Sequence, residues 1–275
     1  MPCLALHCLA EPLIAFSCLC VPCHCALLQE GGSMKYIIGV VMICSLGMAQ
    51  NVDSLVDRAI ELDATRHLEA GNLDESKDIL LQVLEREPDH LRANYELSKV
   101  YYHLGDRAET KNEKIELYTK GTEYGQKAID VNGDSEWAHF WYVVNLGRRS
   151  QTKGVLNSLA YVPTVKKEVN QVLKIDPEHT GALDVKAMFY YELPGLLGGN
   201  VNKSIELLSE ALALDSNYAL LYVDMAKCYV KKKDYETARQ YLQKAITLEH
   251  PTYEADYILK NKPEALELLE EIENM

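Results

Sequence analysis

Residues 219–251 read ALLYVDMAKCYVKKKDYETARQYLQKAITLEHP, and this stretch decides the fold. Tyr222, Met225, Ala226 and Tyr229 fall on one face of a helix, because they are three and four residues apart. Beyond the polar run Lys231–Asp234 the pattern resumes in Ala238, Leu242 and Ala245, which predicts a second helix returning along the first. Ala226 and Ala238 are small where two antiparallel helices approach most closely, and the larger residues fill the space towards the next pair. One such hairpin cannot bury its apolar face alone, so several must stack into a continuous core.

The same template recurs upstream. Residues 57–90 carry Ala64, Gly71, Ser76, Leu80, Val83 and Pro88, with Asn72 and Glu75 spaced as a capping box for the second helix. Residues 91–134 carry Leu97, Ser98, Tyr101 and Gly105, then Gly121 and Ala128 after an insertion. Residues 136–178 carry His139, Tyr142, Val143 and Leu146, then Val165, Val169, Val172 and Pro177; residues 180–218 carry Leu183, Ala187, Tyr190, Gly199, Ser204, Leu208 and Ala211. The tail PEALELLEEIENM, 263–275, has a proline placed for the first turn of a closing helix. These units resemble the tetratricopeptide repeat, a helix–turn–helix of 34 residues. The resemblance implies an all-α fold: an α-solenoid of about five hairpins over residues 53–252, with a C-terminal capping helix at 253–275.

No catalytic constellation emerges from the chain. GLLGGNVNKS, 195–204, departs from a phosphate-binding loop because Asn202 stands where glycine must precede Lys203, and no strand leads into it. Gly198 and Gly199 are expected to end one helix and Asn200 to cap the next. The histidines after residue 50 include no i, i+4 pair, and His139 in WAHFWY is expected to be a packed helix residue. The expectation is a protein without enzyme activity, cofactor or metal.

Two further stretches narrow the resemblance. YYELPGLLGGNVNKSIELL, 190–208, and AHFWYVVNLGR, 138–148, followed by Lys153-Gly154, resemble the T-component family of tripartite ATP-independent periplasmic transporters. That resemblance implies an exported helical protein associated with a periplasmic substrate-binding protein, with a cavity for a small organic ligand. The Ala-His-x-Trp stretch at 138–141 also resembles regulators of microtubule dynamics, although a secretory signal peptide argues against a cytoskeletal role.

Such a signal begins at Met34. MKYIIGVVMICSLGMAQ, 34–50, has a basic start at Lys35, an apolar run, then Gly47 and Ala49 at the −3 and −1 positions of a cleavage site. A lipid-attachment box is absent, because Ile43 is bulky where a small residue must precede Cys44. Residues 1–33 contain no Lys or Arg, and Gln29–Ser33 can be encoded by a string holding a ribosome-binding sequence. The expectation is a translated leader over 1–33, a signal peptide over 34–49 and a periplasmic mature chain. Cys20-Val21-Pro22-Cys23-His24 then has the spacing of a haem-attachment motif without its function.

The whole chain has a net charge of −13; removing residues 1–49 takes away Glu11, Glu30 and Lys35 and leaves −12. Such a surface disfavours non-specific binding to nucleic acid or anionic lipid. The resemblance to tetratricopeptide arrays implies a concave groove lined by first-helix positions. Those positions hold Arg92, Tyr95, Lys99, Tyr102 and His103, then Trp137, Phe140 and Arg148, then Met188 and Tyr191, and finally Lys227. Cations alternating with aromatics in so acidic a chain predict that the groove receives an acidic or carboxylate-bearing segment of another protein, or a ligand of that kind; the alternative is that several of these aromatics pack between hairpins. Charge reversal at Arg92 and Lys99 is expected to leave stability unchanged.

Overall fold

The computed structural model describes residues 51–274, apart from the side chains of residues 155 and 156. The leader, the signal peptide and the cysteine motif lie outside the described residues. Within them the chain is all-α. Five hairpins follow one another: α1 (Val52–Ala64) with α2 (Asn72–Arg86), α3 (Leu91–Arg107) with α4 (Lys111–Val131), and α5 (Glu136–Lys153) with α6 (Val155–Ile175). Then come α7 (Thr180–Glu192) with α8 (Val201–Leu214), and α9 (Ala219–Lys231) with α10 (Tyr235–Ile246). Each helix packs on its sequence neighbours, and the odd-numbered helices also touch one another. They therefore run parallel along one surface, with the hairpin tips on one edge of the array and the inter-hairpin turns on the other.

The turns between hairpins explain why the helices start where they do. Pro88-Asp89-His90 and Pro177-Glu178-His179 each bring a histidine to the N-cap, where Nδ1 accepts a hydrogen bond from the third residue on, Ala93 or Ala182, at 3.1 Å. Ser135 caps α5, Asn200 caps α8 and Asp234 caps α10 through side-chain oxygens. Gly198, with φ +96°, ends a short 3₁₀ turn, Gly195–Leu197, rather than an α-helix.

Two local expectations are corrected. Asn72 and Glu75 form no capping box: Gly71 is the N-cap, and the Asn72 amide instead donates to the carbonyl and hydroxyl of Thr65, closing the turn. Ala64 is exposed, whereas Ala59 is fully buried and its carbonyl accepts from Ser76 Oγ at 2.7 Å. The turn 65–71 is long, so a template counting back from Ser76 lands past the true crossing. Ala187, Ala226 and Ala238 are fully buried.

Helices α4 and α5 cross most intimately. A Cβ on Gly125 would lie 2.7 Å from the Tyr142 Cα, and one on Gly121 would meet the Asn145 side chain. Asn145 is buried and donates to the carbonyls of Ser98 and Trp141, and Ser98 Oγ donates to the Gly121 carbonyl, which ties α3, α4 and α5 together. Gly125→Ala gains at most about 1 kcal/mol of helix propensity. The clash is with backbone and overpacking costs about 1–3 kcal/mol, so a lower melting temperature is expected. Gly147→Ala, whose Cβ meets open space, is the control and should not lower it.

After α10 the chain makes one helical turn, Glu254–Asp256, then a π turn, Tyr257–Asn261, and enters α11, Lys262–Glu273, with Pro263 in its first turn. Ala265 and Ile272 pack against the last hairpin. The π turn reaches across the array: Lys260 Nζ contacts Asp106 Oδ2 at 2.5 Å and Tyr102 Oη at 2.9 Å, and Asp256 pairs with Arg66. No helix among the described residues is long and apolar enough to cross a membrane.

Candidate functional site

The first-helix positions do converge on one surface, but most of their charge is matched from within the chain. Asp63, at the end of α1, is buried and lies 2.7 Å from Lys99 Nζ, 3.5 Å from Arg66 Nη1 and 3.7 Å from His103 Nε2. Burial works to raise its pKa, yet Lys99, His103 and Arg66 overcome this and hold the carboxyl well below the usual range. Burial would also lower the Lys99 ammonium, but Asp63 and Glu96 keep it raised. His103 has no charge partner strong enough; burial pushes it down to about 4 against the pull of Asp63 and Asp256, so the ring is neutral at pH 7. Reversing the charge of Lys99 would therefore strand Asp63, and the expectation of unchanged stability does not hold there. Arg92 pairs with Asp57 at 2.6 Å on the surface, with Tyr95 beside it.

The aromatic positions divide. Phe140 is buried, and Trp137 stacks around His179 with it, at 4.8 Å and 4.5 Å between ring centroids, in the packing of α5 on α7. These rings serve the hairpin junction. Tyr102 stays on the groove side, between Trp141 and the Lys260 ammonium. Tyr191 lies under Lys231, 4.4 Å from the ring centre, and Met188 is half-buried on the same helix. Lys227 bridges Asp224 at 2.7 Å and Glu264 of α11 at 2.6 Å. Beside it, burial and the neighbouring Asp224 push the Asp184 carboxyl well above the usual range.

One part of the groove remains open, as a cleft of about 680 Å³. The α1–α2 turn contributes Arg66 and His67, the ends of α3 and α5 contribute His103, Asp106 and Arg148, α4 contributes Lys114 and Tyr118, and the π turn contributes Leu259 and Lys260. Asp106 is shared by Lys260 and by Arg148 Nη2 at 2.8 Å. Burial alone would raise the Asp106 pKa, but these two cations keep it well below the ordinary value. Arg148 Nε is buried with no hydrogen-bond acceptor among the described residues, and Lys114 makes no ion pair there. The unspent capacity of the cleft is thus hydrogen-bond donation and positive charge. His139, by contrast, has both ring nitrogens occupied, by Glu168 at 2.6 Å and by the Gly133 carbonyl at 3.0 Å.

Of the predicted groove residues, only His103 and Arg148 line the cleft. Sequence reasoning missed Arg66, Lys114, Leu259 and Lys260. Arg66 lies in a turn, Lys114 on the second helix of its hairpin, and Leu259 and Lys260 in the tail, all outside the first-helix positions, and Asp106 meets Lys260 only across 154 residues of chain.

A family model described as "Regulator of microtubule dynamics protein 1-3" matches residues 56–197, and a tetratricopeptide-repeat model matches residues 196–257. Among solved structures, the chain is similar to a thermophilic tetratricopeptide-repeat protein of Thermus thermophilus, at 15% identity and a TM-score of 0.60. That likeness covers 78% of this chain and 100% of the other. It is also similar to a tetratricopeptide-repeat protein of Parabacteroides merdae, at 18% identity and a TM-score of 0.57, covering 87% of this chain and 77% of the other. No curated protein matches the chain. The structural likenesses establish the tetratricopeptide-type helical fold.

Proposed function

Since the chain belongs to the regulator of microtubule dynamics protein 1-3 family, we propose that it works as a non-catalytic interaction scaffold that grips a carboxylate-bearing segment of a partner protein. The cleft carries this reading: in a chain of net charge −13, its lining presents Arg66, Lys114, Arg148 and Lys260 against Asp106 and Asp256, with Arg148 Nε unpaired. A carboxylate there would complete a charge-assisted hydrogen bond, while Leu259 and the Tyr118 ring would cover apolar parts of the segment. The family description names microtubule dynamics; the signal peptide read from Met34 directs the partner of this chain to the exported compartment instead. N-terminal sequencing of the exported protein tests that, with Gln50 as the expected first residue.

A second reading uses the same cleft. Its volume is that of a small-molecule site, which suits the transport-accessory role implied by the T-component resemblance. Of the residues that carried that resemblance, 138–148 and the first part of 190–208 fall inside the stretch matched by the microtubule-regulator family, 56–197, which favours the first reading. Arg148→Ala separates binding from folding, because Asp106 keeps Lys260 and the Tyr118 hydroxyl as partners. Pull-down from a periplasmic fraction should retain the partner at least 10-fold less well with Arg148→Ala, as expected for loss of a charge-assisted bond of about 1.5–3 kcal/mol. Equal retention by the two proteins rejects the cleft as the site. A thermal shift with small dicarboxylates, in the absence of any retained protein, would support the second reading.

A further inference from the structure

The α7–α8 tip is built with unusual care for a loop with nothing packed on it. The amides of Leu197 and Gly199 both donate to the Pro194 carbonyl, at 2.8 Å and 3.1 Å, and the Asn200 amide donates to the Tyr190 carbonyl at 2.8 Å. Gly198 is left-handed, and a Cβ on Gly199 would lie 1.8 Å from the Leu193 carbonyl oxygen, so this shape requires glycine at 199 and favours it at 198. The turn presents Leu196, 101% exposed, and Leu197, 54% exposed. Neither leucine is part of the buried core.

Their neighbours are basic. Because the odd-numbered helices run parallel, the α7–α8 tip sits between the tips of the third and fifth hairpins. Lys153 is exposed at the third, and Lys231, Lys232 and Lys233 are exposed at the fifth. Lys231 reaches the Tyr191 carbonyl on one side of the leucine turn, and Lys232 reaches Asn202 Oδ1 on the other at 3.0 Å. The acidic residues here are Glu192, Asp234 and Glu236; Asp234 is engaged in capping α10 and Glu236 pairs with Arg239. The five turns on the opposite edge of the array, 87–90, 132–135, 176–179, 215–218 and 247–253, contain no Lys or Arg. The turns of the leucine edge thus carry positive charge that the opposite turns lack, in a chain that is strongly acidic overall.

We propose that this tip is a peripheral docking face for an anionic lipid surface, with Leu196 and Leu197 entering the headgroup–acyl boundary and the flanking lysines meeting the headgroups. A convex apolar prong ringed by flexible cations fits a receptor that is deformable, apolar within and anionic at its surface. A nucleic acid would engage the lysines and leave the leucines in water. The rest of the chain, being acidic, would be repelled, which fixes the orientation with this edge down.

Co-sedimentation of the full chain with extruded vesicles tests the proposal. Binding should be stronger to phosphatidylcholine/phosphatidylglycerol mixtures than to phosphatidylcholine alone, and should weaken as salt is added. Leu196→Ser/Leu197→Ser should lower binding to the mixed vesicles at least 10-fold, and Lys232→Gln/Lys233→Asn should lower it several-fold. Neither should move the melting temperature, since the altered side chains are exposed. Leu196→Trp should give an added blue-shifted emission on the mixed vesicles, which reports insertion by the tip itself. Undiminished binding of the double-serine variant overturns the proposal, whichever other segment holds the vesicle. So does a wild-type chain that stays in the supernatant with both kinds of vesicle, the outcome if the leucines seat in a protein partner.

Discussion

Asp63→Asn should destabilise the protein by about 3–5 kcal/mol, the cost of removing one partner from a buried charge cluster. The carboxylate is 1% exposed and faces Lys99, Arg66 and His103 at once. Asparagine keeps the shape and removes the charge, so the Lys99 ammonium loses its closest counter-ion in a site where water cannot replace it. Glu96, 3.6 Å from Lys99, is farther away, and burial works against its own charge, so it replaces Asp63 only in part. The control is Asp57→Asn, which breaks the 2.6 Å pair with Arg92 at the surface and should cost no more than about 1 kcal/mol. Urea unfolding of both variants makes the comparison. Adding Lys99→Met to Asp63→Asn should recover most of the loss, because the stranded charge is then gone. A loss below about 1 kcal/mol for Asp63→Asn would mean that the cluster is solvated in solution.

The second large effect is a loss of stability on mild acidification, traced to His103. Its folded pKa, about 4, lies below the ordinary value of 6.5, first because of burial and despite Asp63 and Asp256. Between those values the unfolded chain binds the proton and the folded chain does not. Stability therefore falls as pH drops from about 6.5 to about 4, by up to about 3 kcal/mol for this group. His179, lowered by burial, acts in the same sense. Asp184, raised by burial and by Asp224, acts in the opposite one, losing stability as pH rises above 3.8. Asp63 and Asp106, both lowered, add their own loss only below about pH 3.8. Comparison with His103→Gln isolates the histidine: unfolding free energies measured from pH 7 to pH 4 should decline less steeply in the variant. Parallel profiles would place a charged imidazole in the folded protein.

The sequence by itself determined the hairpins. Tyr222, Met225, Ala226, Ala238 and Leu242 sit where helix periodicity puts them, and all but the partly buried Tyr222 are fully buried. Amphipathic spacing is a local property that every compact arrangement of the helix must respect, so it is legible without the fold. The register failed only at the first hairpin, where Ala59 rather than Ala64 is buried, because turn length is set by how Asn72 bonds back to Thr65 and not by any period. The groove was less legible. First-helix positions contribute only His103 and Arg148 to the cleft, and whether Lys99, His103 or Lys227 faces a partner depends on which carboxylates arrive from elsewhere. Asp63 comes from the preceding hairpin, Asp256 from the helical turn before the π turn and Glu264 from α11. Only the superhelical path of the array brings the π turn back over the second hairpin, joining Lys260 to Asp106 across 154 residues. Pairings of that range depend on the sum of many small inter-helix rotations, to which no single residue pattern corresponds.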